Sequence, residues 1–113
     1  MTKNELINNI RLSLRNLNIS KVILFGSWAS DMQTDESDVD LLVVTKDEYV
    51  FQSFEQKMKT KVKIAQALNG IRKFADIDLI VHTRPMFERF LLLDSGFKNE
   101  IINSGKVIYE ADN

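Results

Sequence analysis

The chain has 113 residues, a formal net charge of −1, 44% hydrophobic and 27% charged residues, and no cysteine. That composition suits a globular protein with one hydrophobic core, and the missing cysteines exclude disulfides and thiolate metal sites. No apolar run approaches the roughly 20 residues that span a bilayer, and the near-neutral charge argues against direct nucleic-acid binding. Residues 1–15 mix Lys, Asn, Glu and Arg with apolar residues, as no signal peptide does. The expectation is a single domain over 1–113 in the cytoplasm.

Thr2 and Glu5 match a capping box, and Leu6, Ile10, Leu14 and Leu17 recur at helical spacing, so the chain opens on a helix. Asn16 to Ser20 breaks that period, and Lys21-Val22-Ile23-Leu24-Phe25 reads as a short buried strand. Gly26-Ser27 ends it, Trp28 to Met32 suits a helical turn, and 33–37 is polar loop. Asp38 to Val44 is a second strand, polar at its start and solidly apolar after, as in a strand covered on both faces. Asp47 to Asn69 returns to helix, with Phe51, Phe54, Met58, Val62, Ala65 and Leu68 on one stripe and Gly70 as terminator. Asp76 to His82 is a third strand. Thr83-Arg84-Pro85 then starts a helix containing Met86, Phe87, Phe90 and Leu91, which Ser95-Gly96 breaks. A short helix over 98–103 and a strand or extended tail over 106–109 complete the chain. Strands alternating with helices predict an α/β layered domain.

Asp38 and Asp40 are spaced i, i+2 on a strand, so they project side by side, roughly 7 Å apart at Cα. Two like charges that close repel, and a divalent cation is the usual remedy. Mg²⁺ prefers hard carboxylate oxygens together with substrate phosphates. Asp78, bracketed by Ile77 and Leu79, puts a further carboxylate at the start of another central strand, where burial is costly without a partner. If the two strands lie side by side, Asp38, Asp40 and Asp78 converge, and three carboxylates can hold two Mg²⁺ ions. Asp76 shares a strand face with Asp78 and competes for the third place; the tighter apolar bracket favours Asp78. The Gly26-Ser27 turn offers backbone N–H groups and a hydroxyl to a phosphate, with Gly permitting close approach.

Gly26-Ser27, ten residues, Asp38-Val39-Asp40 and the later Asp78 together resemble the signature of the DNA polymerase β superfamily of nucleotidyltransferases. The fit is to its small stand-alone members, the minimal nucleotidyltransferase domains, many of them antitoxins encoded beside a HEPN-domain ribonuclease toxin. The resemblance spans roughly residues 3–82 and the tail to Tyr109. It implies a polymerase β-like fold, a small mixed sheet flanked by helices, with the core over 3–82 and C-terminal helices and tail over 83–113. It also implies that Gly26 and Ser27 bind the nucleotide phosphates and that Asp38, Asp40 and Asp78 are catalytic metal ligands. Asp78 would act as general base towards the acceptor hydroxyl. The implied cofactor is Mg²⁺, as two ions, with ATP as substrate. The implied reaction is transfer of AMP to a tyrosine of a partner HEPN toxin, by which the chain acts as antitoxin. Two other readings stand beside it: a non-catalytic module that neutralises its partner by binding, and nucleotidyl transfer to RNA or a small molecule. The chain departs from the family turn in one place, since Ser30-Asp31 stands where Arg-Gly is common. Lys21, Lys46 and Arg84 are the cations considered as replacements.

Four features have a plainer explanation. His82, the only histidine, suits a satisfied strand end better than a general base. Trp28 packs behind the turn or stacks on a base. Lys57, Lys59, Lys61 and Lys63 read most simply as the wet face of a helix, with phosphates or an acidic partner as the alternative. Met86 to Leu93 is apolar on more than one side, as a core helix with a partner interface would be.

Overall fold

The computed structural model describes residues 1–111. Asp112 and Asn113, the end of the expected 1–113 domain, lie outside the described residues. Thr2 caps the first helix, α1 (Lys3–Leu14), its hydroxyl accepting from the Glu5 N–H at 3.1 Å. Leu6, Ile10 and Leu14, the residues at helical spacing, are buried together with Ile7. The chain then turns into β1 (Ile19–Phe25), which begins two residues earlier than the apolar run suggests. A 3₁₀ turn over Gly26–Trp28 follows, and β2 (Val39–Thr45) runs back antiparallel to β1.

The next helix is shorter than its pattern. α2 covers Phe54–Ala67, and 46–53 is not helical. Asp47 explains the delay: its carboxylate accepts from Thr45 Oγ1 at 2.9 Å and from Asn18 Nδ2 at 3.3 Å, and its carbonyl accepts from the Arg84 N–H at 3.1 Å. Those bonds hold the segment against the end of the sheet, and Ser53 caps the helix instead. The expected stripe holds only in part. Phe54 and Val62 are exposed, Leu68 is buried as expected with Phe51 and Ala65 packed on the core, and Ile64, outside the stripe, is buried too. Gly70 does not terminate α2; it lies inside a separate turn of helix, α3 (Asn69–Arg72).

β3 (Ile77–His82) pairs parallel with β2, the α2–α3 crossover supplying the connection that parallel strands need. Pro85 lies in the first turn of α4 (Arg84–Leu91), and Ser95 caps α5 (Gly96–Ser104), so Ser95-Gly96 starts a helix as well as following one. β4 (Lys106–Glu110) returns antiparallel to β1. The sheet order is β3-β2-β1-β4, a mixed sheet flanked by helices, as expected. The strand alternative for 106–109 is the one adopted, and the Arg11 side chain donates to the Ile108 carbonyl to hold it under α1.

Strand alternation sends side chains to two faces. Val22, Leu24, Leu41, Val43, Leu79 and Val81 pack with α1, α2 and α3. Ile23, Phe25, Leu42 and Val44 pack with Phe87 and Phe90 of α4 and Ile101 of α5. Each fully buried Leu or Ile contributes about 2 kcal/mol to this two-sided core. Asp40 and Asp78 are in phase with Leu42 and Ile80, on the α4–α5 side.

Candidate active site

β2 and β3 are in register with Val39 opposite Ile77 and Asp40 opposite Asp78. The two carboxylates therefore occupy one rung of neighbouring strands, which lie about 4.8 Å apart. Phe25 of β1 stands opposite Asp40 on the other side, so the turn that follows Phe25 begins beside the same rung. Gly26 is in the left-handed region at φ 71°, and a Cβ there would collide with the Asp40 carboxylate. Glycine is thus required twice at this position, by backbone angle and by the carboxylate filling its side-chain space.

The Asp40 carboxyl is pushed up to about 6, first by burial, then by the Asp78 charge and a carboxyl–carboxylate hydrogen bond to it. Asp38 and Glu100 of α5 add to the rise. Asp40 and Asp78 line a cleft of about 530 Å³ together with Phe25, Phe97, Lys61 and Arg72. Asp38 is placed differently from its strand expectation. It is exposed, precedes β2 by one residue, and lines an adjoining cleft of about 260 Å³ with Asp76 and Arg72. Asp76 likewise precedes β3, and its carbonyl accepts from the Val39 N–H at 2.8 Å. The structure therefore brings Asp40 and Asp78 together and places Asp38 with Asp76 on the next level.

Among the described residues, no three acidic or histidine side chains form a protein-only metal cage. The donor set nevertheless fits Mg²⁺, which is commonly held by one or two carboxylates plus substrate phosphates rather than by protein alone. A half-buried carboxylate facing a second one, with no ion pair to either among the described residues, fits such a cation on charge as well.

The remaining expectations sort by position along the sheet. Lys21 pairs with Glu110 at 3.2 Å, and Arg84 pairs with Glu48 at 3.0 Å. Arg84 and Lys46 lie at the far end of β2, about 20 Å from Asp40 by strand rise, and Lys21 lies opposite Val44 near that end. None of the three replaces a cation at the turn. His82 sits four residues beyond Asp78, tilted among Phe87 and Phe90 at ring distances of 6.3 and 5.3 Å. Burial and the nearby Lys57 hold its pKa below the ordinary value, and its buried Nδ1 has no hydrogen-bond partner among the described residues, so it is not the satisfied histidine expected. Trp28 is 8% exposed and belongs to the core, which settles its role as packing.

The sequence model of the polymerase beta nucleotidyltransferase family matches residues 8–113. The chain belongs to that family. A candidate protein adenylyltransferase of Methanocaldococcus jannaschii is 27% identical over 105 residues, which cover 93% of this chain and 92% of that protein. A toxin–antitoxin complex with AMP-PNP superposes with a TM-score of 0.58 at 21% identity, over 94% of this chain and 74% of that one. A nucleotidyltransferase candidate from Sulfolobus solfataricus gives 0.59 at 16% identity, over 96% and 80%. The MntA–HpeT toxin–antitoxin complex, in a variant with two aspartates changed to glutamate, gives 0.51 at 18% identity, over 99% and 75%. At these identities the solved structures show the nucleotidyltransferase fold.

Of the cations lining the carboxylate cleft, Arg72 was not singled out in the sequence, and Lys61 was read first as part of a wet helix face, with phosphates as the alternative. Arg72 precedes the third strand with no motif around it, while Lys61 stands in a run of four alternating lysines. The signal for Lys61 was the helical period, which puts Lys57 and Lys61 on one face of α2 and Lys59 and Lys63 on another.

Proposed function

We propose that this nucleotidyltransferase moves AMP from ATP to a hydroxyl of a partner protein, a tyrosine of a HEPN-domain toxin, and acts as its antitoxin. The observation that carries the reading is the Asp40–Asp78 rung, with the Asp40 carboxylate seated in the space beside Gly26. The adenylyltransferase relative and the toxin–antitoxin structures support the acceptor class. In this reading Asp40 and Asp78, with Asp38 next to them, hold Mg²⁺, and Gly26 and Ser27 hold the nucleotide phosphates. When bound, the metal would lower the charge of the triphosphate and stabilise the leaving pyrophosphate. The chain's own part is to seat the phosphates against the turn, to hold the carboxylates in register, and to take the acceptor proton on Asp78. Phe25 and Phe97, whose rings meet edge to face at 5.6 Å, wall the cleft on the α5 side.

The test is incubation with ATP labelled at the α-phosphate, Mg²⁺ and the protein encoded by the neighbouring gene. Label is expected on a tyrosine of that partner and absent when Asp38→Ala and Asp40→Ala are combined. A partner that stays unlabelled with the unaltered protein contradicts the reading. One observation favours a second reading, a module that neutralises by binding alone: the turn over 26–31 carries no cation for a triphosphate. Neutralisation that survives the double substitution would select it.

A further inference from the structure

Helical geometry divides the lysines of α2 into two pairs. Lys59 and Lys63 line a cleft of about 370 Å³ beside Tyr49 and Asp47, at the far end of the sheet. Lys57 and Lys61 face the β3 edge, Lys57 near enough to act on His82 and Lys61 lining the carboxylate cleft. Arg72, the last residue of α3, lines that cleft too and continues into the one that holds Asp38 and Asp76. It is the cation common to both acidic clefts. Neither Lys61 nor Arg72 forms an ion pair among the described residues, although several carboxylates line the same walls.

A metal-bound triphosphate over Asp40 and Asp78 brings more negative charge to a site that already holds two carboxylates. The turn cannot offset it with a side chain. Ser30 donates its hydroxyl to the Gly26 carbonyl at 2.8 Å, and Lys3 is held by Asp31 and the Ala29 carbonyl. Lys61 and Arg72 line the same cleft as the two carboxylates. Charge-assisted contacts from Lys and Arg to phosphate are among the stronger hydrogen bonds available.

We propose that Lys61 and Arg72 supply, from the β3 side of the cleft, the cationic contacts to the nucleotide phosphates that the 26–31 turn lacks. The inference rests on the nucleotidyl-transfer reading of the site. Both side chains project from helices at the surface, Arg72 exposed and Lys61 half-buried, so neutral substitutions leave the core untouched.

The experiment is calorimetric titration of the protein with AMP-PNP in the presence of Mg²⁺, at two salt concentrations. Lys61→Gln and Arg72→Gln are each expected to weaken binding about tenfold, and the pair about a hundredfold with a flatter salt dependence. The charge-conserving pair Lys61→Arg plus Arg72→Lys should retain most of the affinity, and unchanged thermal melts confirm that each variant is folded. Lys59→Gln plus Lys63→Gln, on the other face of α2, should bind as the unaltered protein does. A Lys61→Gln plus Arg72→Gln variant that binds as tightly as the unaltered protein overturns the inference alone. So does an equal loss in the Lys59 and Lys63 pair. Failure of the unaltered protein to bind overturns the nucleotidyl-transfer reading, and this inference with it.

Discussion

The carboxylate rung of β2 and β3 and the turn at 26–31 touch each other, yet they settle their polar groups in opposite ways. In the turn, the Gly26 carbonyl accepts from the Ala29 N–H at 3.1 Å, the Ser30 N–H at 3.2 Å and the Ser30 hydroxyl at 2.8 Å. Asp31 is held by Lys3 at 3.0 Å, which fastens the start of α1 to the turn. At the rung, Asp40 faces Asp78 and is pushed up to about 6, with cations lining the cleft but pairing with neither. Polar groups that serve the fold are satisfied within it, while groups that serve a ligand carry charge the fold leaves uncompensated. The Ser30 and Asp31 side chains brace the turn, whereas the charges of the rung have no ion-pair partner among the described residues.

The contrast breaks most visibly at Asp40. Asp40→Asn should lower AMP transfer about a thousandfold, since it removes a metal-binding charge worth several kcal/mol in the transition state. The same change should stabilise the metal-free protein by about 1 kcal/mol above pH 6, after allowance for solvent screening. The sign follows from linkage. A carboxyl raised from 3.8 to about 6 binds its proton more tightly when folded, so stability falls as pH rises through that window. The advantage of the variant should therefore open between pH 3.8 and 6 and vanish below it, as read by denaturant unfolding at several pH values.

Gly26→Ala tests the contact between the two regions. It forces a side chain into the left-handed region and into the Asp40 carboxylate, and should cost about 2 kcal/mol while displacing Asp40. Lys3→Met probes the Lys3–Asp31 brace alone. With Asp31 largely exposed, its loss should cost about 0.5 kcal/mol in unfolding experiments and leave transfer nearly unchanged. A large activity loss in Lys3→Met would show that the Lys3–Asp31 pair does more than brace the turn.

The order of elements was legible because short apolar runs between polar loops leave few alternatives. The Asp40–Asp78 pairing was legible because each carboxylate heads an apolar strand, and neighbouring strands bring such positions together. The i, i+2 spacing of Asp38 with Asp40 misplaced Asp38, because β2 begins only at Val39. The stripe on α2 was legible in part: Leu68 is buried and Phe51 and Ala65 pack on the core, but Phe54 and Val62 satisfy the period while exposed, and only tertiary contact selects Ile64. Asp31 shows the opposite case. Its φ of 61° is the conformation a glycine would take at the family's glycine position, and Asp adopts it with Lys3 as a tether. No local rule predicts a contact between residues 28 apart in sequence.

The most direct measurement is the thermal melt of the unaltered protein and of Asp40→Asn, each with and without Mg²⁺ and AMP-PNP together. The account predicts that metal and nucleotide raise the melting temperature of the unaltered protein and leave Asp40→Asn unmoved. An equal rise in both would contradict the assignment of Asp40 to the metal–nucleotide site.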